Sequence, residues 1–198
     1  MMHHIRPFQL LTLASGNVTL PIPPRRGSLG GAPSLLETFL LISAIRAVDA
    51  KAIFEFGTCK GTTALNLAIN SDAKITTLDL YRDPEFDFNG TEYESRIDVK
   101  TSDSKKFSYM PYLKSMDFVF IDGGHDYDTV KNDTEAAFEL AKESGCIAWH
   151  DYREPTCSGI AHYLDTLSEG MDLFHIEDTV LCFWFPEAIA TKLCKPEN

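Results

Sequence analysis

The residues best equipped for chemistry fall in two short runs. In the first, Asp117-Phe-Val-Phe-Ile-Asp122-Gly-Gly-His125-Asp126-Tyr127, an apolar stretch ends in a carboxylate, two glycines and a histidine. In the second, Cys146-Ile-Ala-Trp-His150-Asp151-Tyr152, another apolar stretch ends in a histidine and an aspartate. If the two stretches are neighbouring strands, Asp122, His150 and Asp151 share one rim. Two carboxylates and a neutral imidazole suit a divalent cation, and they make a softer set than oxygen donors alone. A closed zinc site would want a fourth protein ligand. The same groups also suit helix caps and rim polar groups without a metal. Gly123 and Gly124 let the chain turn so that His125 folds back over the edge. There an imidazole that titrates near neutrality can take a proton, ligate, or simply hydrogen-bond.

A second constellation is Ile53-Phe-Glu55-Phe-Gly57-Thr58-Cys59-Lys60-Gly61-Thr62-Thr63. A short apolar run leads into a two-glycine turn and then a helical pattern. Gly57 permits a tight turn and Gly61 a close approach at the helix start, where free N–H groups favour a carboxylate or phosphate. Cys59 occupies the middle position of a GxGxxG, and Gly61-Thr62 is not the GK[ST] of a P-loop. Asp79 ends the next apolar run, where an acid can accept the hydroxyls of a ribose. Glu55 lies inside an apolar strand, so it must be paired or hydrogen-bonded. It either orients the turn or reaches a ligand.

The elements that must carry these residues are legible as an alternation. Ser34 with Glu37 reads as a capping box for a helix with Leu35, Leu36, Phe39, Leu40 and Ile42 on its apolar face. Strands are expected over 51–56, 75–80, 96–99, 116–121 and 146–149. Helices are expected over 62–70, 126–144 and 158–167, with Asp126 as an N-cap. Two last strands, near 174–177 and 180–184, are joined by Asp178-Thr179. That link is too short for a crossover, so they should pair antiparallel. Nearly continuous apolar strands alternating with helices mean a mostly parallel sheet covered on both faces. Residues 1–34, with Pro21-Ile-Pro-Pro24 and Gly27-Ser-Leu-Gly-Gly31, read as an irregular arm or a flap over the substrate side.

Composition narrows the function. The 198 residues suit one domain. With 18 Lys+Arg against 29 Asp+Glu, the formal net charge is −11, the wrong sign for a protein that coats nucleic acid. No apolar run is long enough to span a membrane. The five cysteines form no CxxC pair and suit reduced, cytoplasmic thiols. The aromatic terminal strands leave homo-oligomerisation open.

The order of elements and the motifs together resemble the class I S-adenosylmethionine-dependent methyltransferases. Within them they resemble the small cation-dependent O-methyltransferases: catechol O-methyltransferase and its relatives acting on antibiotic sugars and phenols. Glu55–Thr63 is similar to the ExGxxxGxS cofactor loop, and the IDGGHDY and HDY runs are similar to IDGxHxY and [DH]DY. The likeness covers roughly residues 35–185. It implies an α/β, Rossmann-like three-layer sandwich whose mostly parallel, seven-stranded sheet ends in an antiparallel hairpin. The methyltransferase domain would span 35–198, behind an N-terminal arm of 1–34. The resemblance implies S-adenosyl-L-methionine contacts from Glu55, Gly57, Thr58, Gly61, Thr62, Thr63, Asp79, Ser102, Asp103, Ser104 and Asp122. It implies a divalent cation on Asp122, His150 and Asp151, and a small hydroxylated acceptor. His125 falls where the catechol enzyme carries its catalytic base, a lysine, and Asp122 joins it as a catalytic group. His150 stands where most relatives have aspartate, which leaves magnesium, manganese, iron and zinc open. A metal-dependent hydroxylase-like relative and a non-catalytic nucleoside-binding or interaction protein are the competing functions.

Overall fold

A computed structural model describes residues 1–14, 16–20 and 33–194. One sheet of eight strands runs through it: β1 (Met2–Ile5), β2 (Ala52–Phe56), β3 (Lys74–Asp79), β4 (Ile97–Thr101), β5 (Met116–Ile121), β6 (Ala141–Trp149), β7 (Leu173–Ile176) and β8 (Cys182–Trp184). The spatial order is β1-β7-β8-β6-β5-β2-β3-β4. Only β8 runs antiparallel, against both β6 and β7. The helices are α1 (Pro7–Leu11), α2 (Leu35–Ala47), α3 (Thr62–Ile69), α4 (Tyr127–Leu140), α5 (Ser158–Ser168) and α6 (Glu187–Leu193).

The alternation of side chains along the strands divides the core into two layers. Ile53, Phe118 and Phe120 pack with Leu40 and Leu41 of α2, Leu65 of α3 and Ile189 of α6. Phe54, Phe56, Val119 and Ile121 face the other way, onto Val130, Ala137 and Leu140 of α4 and Ile160 and Leu164 of α5. All six residues of β5 are buried, as a central parallel strand requires. Trp149 fills the second layer and donates its indole N–H to Thr134 Oγ1 at 2.9 Å.

The expected antiparallel hairpin is present, but the sheet has an eighth strand. Within the segment expected to be irregular, Met2–Ile5 pairs parallel with β7 and Pro7–Leu11 is helical. Only Ile5 of β1 is buried. Such an edge strand is held by its neighbour's backbone rather than by an apolar pattern of its own. The run Pro21–Gly31 lies outside the described residues. The helix expected over 126–144 stops at Leu140. Ala141 is already extended, with ψ 139°, and pairs with Met116.

The sheet order fixes where ligands can lie. The chain leaves β2 toward β3 and β4 and leaves β5 toward β6 on the other side, so the switch point lies between β2 and β5. At the opposite end of these strands Asp117 acts as a clamp. Its carboxylate accepts the N–H of Lys51 at 2.9 Å and of Ala52 at 3.0 Å, and it meets Lys142 Nζ at 2.6 Å. These bonds together hold its pKa below the usual carboxylate range, against its partial burial. Asp117→Ala strands two N–H groups at the start of β2 and should cost about 2–3 kcal/mol. Urea denaturation checks this, and a loss under about 0.5 kcal/mol would show that water replaces the clamp.

Candidate active site

Both constellations meet at the switch point. Gly57 follows β2 with φ 92° and Gly61 precedes α3 with φ 73°. A Cβ on Gly57 would lie 2.0 Å from the Asp122 carbonyl oxygen, so only glycine lets the turn pass this close to the end of β5. The Asp122 N–H donates to the Phe56 carbonyl at 2.9 Å and locks the two strand ends together.

Asp79 Oδ2 accepts the N–H groups of Thr58 at 2.8 Å and Cys59 at 2.9 Å, and so holds the turn itself. Its Oδ1 accepts from Tyr81 N at 3.2 Å. Ser102 is tied to the Asp79 carbonyl through its N–H at 2.9 Å, which brings the Ser102–Ser104 segment to the same edge. Asp103 accepts from the N–H of Lys105, and the Ser104 carbonyl accepts from Tyr109 Oη. Leu80 and Tyr81, just beyond Asp79, are exposed.

Glu55 is 1% exposed and reaches the turn through hydroxyls. Thr77 Oγ1 donates to Glu55 Oε2 at 2.5 Å and lies 2.8 Å from Thr58 Oγ1. Burial pushes Glu55 up to about 8; the Thr77 bond opposes this, and the charges of Asp122 and Asp79 add to it. Among the two readings of Glu55, the structure supplies the link to the turn.

Sequence reasoning missed the cover over this turn. Phe86 and Phe88 stack at 4.8 Å, and a Cβ on Gly61 would meet the Phe88 ring at 2.4 Å. Asp87 takes the hydroxyl of Thr62, its N–H donates to the Lys60 carbonyl, and Lys60 pairs with Asp83 at 2.8 Å. Two buried phenylalanines in an otherwise polar run were the available signal. Thr63 follows in the first turn of α3.

The acidic rim follows from register. Ile121 pairs with Trp149, so Asp122 and His150-Asp151 leave adjacent parallel strands side by side. Asp151 holds φ 59°, a left-handed conformation that aspartate tolerates better than most residues. His150 is 4% exposed. Its Nδ1 lies 3.3 Å from Asp122 Oδ1 and 3.1 Å from Asp151 Oδ1, and its Nε2 lies 3.5 Å from Glu37 Oε2. Burial alone would lower His150, but Asp122, Asp151 and Glu37 outweigh it and lift it to about 12. Burial raises Asp122 against the pull of His150. Burial would also raise Asp151, yet His125 and His150 together hold it far below the carboxylate range.

His125 is half exposed, and its Nε2 lies 3.0 Å from Asp151 Oδ2. That contact raises its pKa against partial burial. The loop carrying His125 sits against Gly159 of α5, where a Cβ would meet the His125 carbonyl oxygen at 2.5 Å. Gly159 was not singled out from sequence. Asp126 caps α4 as expected, accepting from Thr129 N at 3.0 Å. A small cavity lined by Asp122, His125, His150 and Asp151 lies at this rim.

The residues present fit a divalent cation. Neither ring nitrogen of buried His150 has a hydrogen-bond partner, which is a costly state for a polar atom. One donor atom each from Asp122, His150 and Asp151 lie within 4.8 Å of one another, and Cys157 with His125 and Asp151 forms a second such group.

A family model described as a methyltransferase domain matches residues 54–152, half of the 198-residue chain. The chain belongs to this methyltransferase family. It is a methyltransferase, and its fold is that of S-adenosylmethionine-dependent O-methyltransferases. A search of curated proteins returns no significant match. Solved folds agree with the family. The O-methyltransferase from Bacillus cereus, in complex with SAH, is 18% identical with TM-score 0.58, over 76% of this chain and 79% of that one. The O-methyltransferase TomG from Streptomyces achromogenes, in complex with SAM, is 16% identical with TM-score 0.57, over 77% and 79%. The MycE methyltransferase of mycinamycin biosynthesis is 18% identical with TM-score 0.53, over 67% of this chain and 44% of that one. No helix among the described residues is long and apolar enough to cross a membrane.

In this methyltransferase Glu55 makes stability depend on pH. Its folded pKa of about 8 lies above the ordinary 4.5, so the folded chain keeps a proton that the unfolded chain loses. Its contribution is fully present below pH 4.5 and is lost as pH rises toward 8. Glu55→Gln should flatten this decline, read as urea midpoints at pH 5, 6.5 and 8. Parallel curves for the two proteins would refute a buried protonated carboxyl.

Proposed function

We propose that this methyltransferase transfers a methyl group to an oxygen of a small hydroxylated acceptor with the help of a divalent cation. The observation that carries the reading is the meeting, at one switch point, of the Gly57–Gly61 turn held by Asp79 with the Asp122–His150–Asp151 rim. The MycE structure, with Mg and SAH, supports the same pairing of ligands.

Bound S-adenosylmethionine supplies an electrophilic methyl on a sulfonium, and a divalent cation supplies a Lewis acid for the acceptor's oxygens. The protein supplies position and a proton path. Asp79, Ser102, Asp103 and Ser104 line the edge offered to the nucleoside, and Glu55, through Thr77 and Thr58, keeps the turn in place. Gly57, Thr58, Gly61, Thr62 and Thr63 present backbone and hydroxyls to the rest of the donor. Asp122, His150 and Asp151 would hold the ion and orient the acceptor in line with the methyl. His125 takes the acceptor proton. Its Nε2 faces Asp151 Oδ2, so Nδ1 is the nitrogen left to receive it. Magnesium, manganese, iron and zinc all remain candidates for this mixed donor set.

Calorimetric titration of S-adenosylhomocysteine should show binding that weakens about tenfold or more in Asp79→Ala, a loss of about 1.4 kcal/mol. Turnover on a panel of catechols, phenols and sugars should vanish on chelation and return with one of the four ions. His125→Ala should lower kcat by about 10²–10⁴ while leaving nucleoside binding intact. Binding of the nucleoside with turnover indifferent to chelation would remove the cation from the reading. Oxygen consumption after iron loading, without methyl transfer, would favour the hydroxylase-like alternative.

A further inference from the structure

Glu37 lies outside the segment that matches the family model, in the first turn of α2, yet its carboxylate ends at the rim. It is 6% exposed. Oε2 accepts the Ser34 N–H at 2.6 Å and closes the capping box; Oε1 accepts the Val180 N–H at 3.0 Å. Its third neighbour is His150 Nε2, at 3.5 Å from Oε2.

A capping box needs an acceptor at this position, which a neutral glutamine supplies equally well. Such side chains ordinarily lie over an exposed first turn. A carboxylate here is buried at a cost of several kcal/mol unless it is matched by charge or a hydrogen bond. Two backbone N–H groups already satisfy part of this carboxylate, and Oε2 also stands 3.5 Å from His150 Nε2, whose opposite nitrogen faces Asp122 and Asp151. An imidazole that ligates through one nitrogen carries its proton on the other, and an outer carboxylate or carbonyl fixes which is which.

We propose that Glu37 is a positioning residue that accepts the Nε2–H of His150 and so presents the Nδ1 lone pair to a cation between Asp122 and Asp151. The inference rests on the cation reading above and deepens it. It joins the start of α2 and the β7–β8 connection to the metal rim through one side chain. It also accounts for a histidine among the ligands: an aspartate at position 150 would set a third carboxylate directly against Glu37.

The test uses the full chain with Mn²⁺ alone as the calorimetric probe, and Zn²⁺ for ¹⁵N–¹H spectra of the histidine rings. Glu37→Gln keeps an acceptor for the cap and should weaken Mn²⁺ about 10- to 100-fold. Ser34→Ala, which removes the other half of the capping box but does not touch His150, should stay within about threefold of the parent. That pattern, with His150 protonated at Nε2 in the Zn²⁺-loaded parent, supports the proposal. Equal weakening in both variants would reduce Glu37 to a helix cap and overturn it, as would an unchanged Glu37→Gln. The parent spectrum decides even if Glu37→Gln fails to fold: a proton on Nδ1, with Nε2 ligated, overturns the proposal. Should the parent bind S-adenosylhomocysteine but no divalent ion, the cation reading falls and this inference with it. A parent that binds Mn²⁺ beside an unaffected Glu37→Gln sinks the inference alone.

Discussion

Three carboxylates converge on one buried imidazole, and much of the architecture exists to permit that. Glu37, Asp122 and Asp151 come from a helix start and two strand ends, and each would be unfavourable in an apolar interior on its own. His150 supplies the opposing group, and its two nitrogens separate the outer carboxylate from the inner pair. Removing the imidazole would leave like charges facing one another in a poorly solvated space. The strand register, the left-handed Asp151 and the capping box at Ser34 are all consistent with this single requirement.

The glycine-turn side obeys a different constraint, that of close backbone packing. A turn able to lie against the end of β5 has room for hydrogen only at Gly57, and Asp79 then fastens its far side. Charge placement governs one half of the crevice and steric fit the other. They share Asp122, whose side chain serves the rim and whose backbone receives the turn.

Most of the sheet was readable in the amino-acid sequence, and so was the gathering of the candidate polar residues at one edge, because parallel strands announce themselves as apolar runs and their carboxyl ends carry the polar groups. What escaped was set by distant contacts. The strand at Met2–Ile5 has no pattern of its own and exists because β7 offers an edge. The early stop of α4 at Leu140 reflects pairing of Ala141 with Met116, which no local propensity encodes. Glu37 was legible as a helix cap, but its approach to His150 and Val180 depends on how three remote segments fold together. Phe86, Phe88 and Gly159 likewise gain their meaning only from the neighbours they press against.

The contact between Gly57 and the Asp122 carbonyl also bears on how such enzymes can be recombined. A Cβ at position 57 would stand 2.0 Å from that main-chain oxygen, which is present whatever residue occupies 122, so the glycine turn meets the acidic rim through backbone rather than through side-chain identity. A chimaera whose crossover falls between these positions keeps the seam as long as glycine stands at 57 and the β2–β5 register is retained. Side-chain variation at the rim and in the connections around it is then free to accumulate without disturbing that seam.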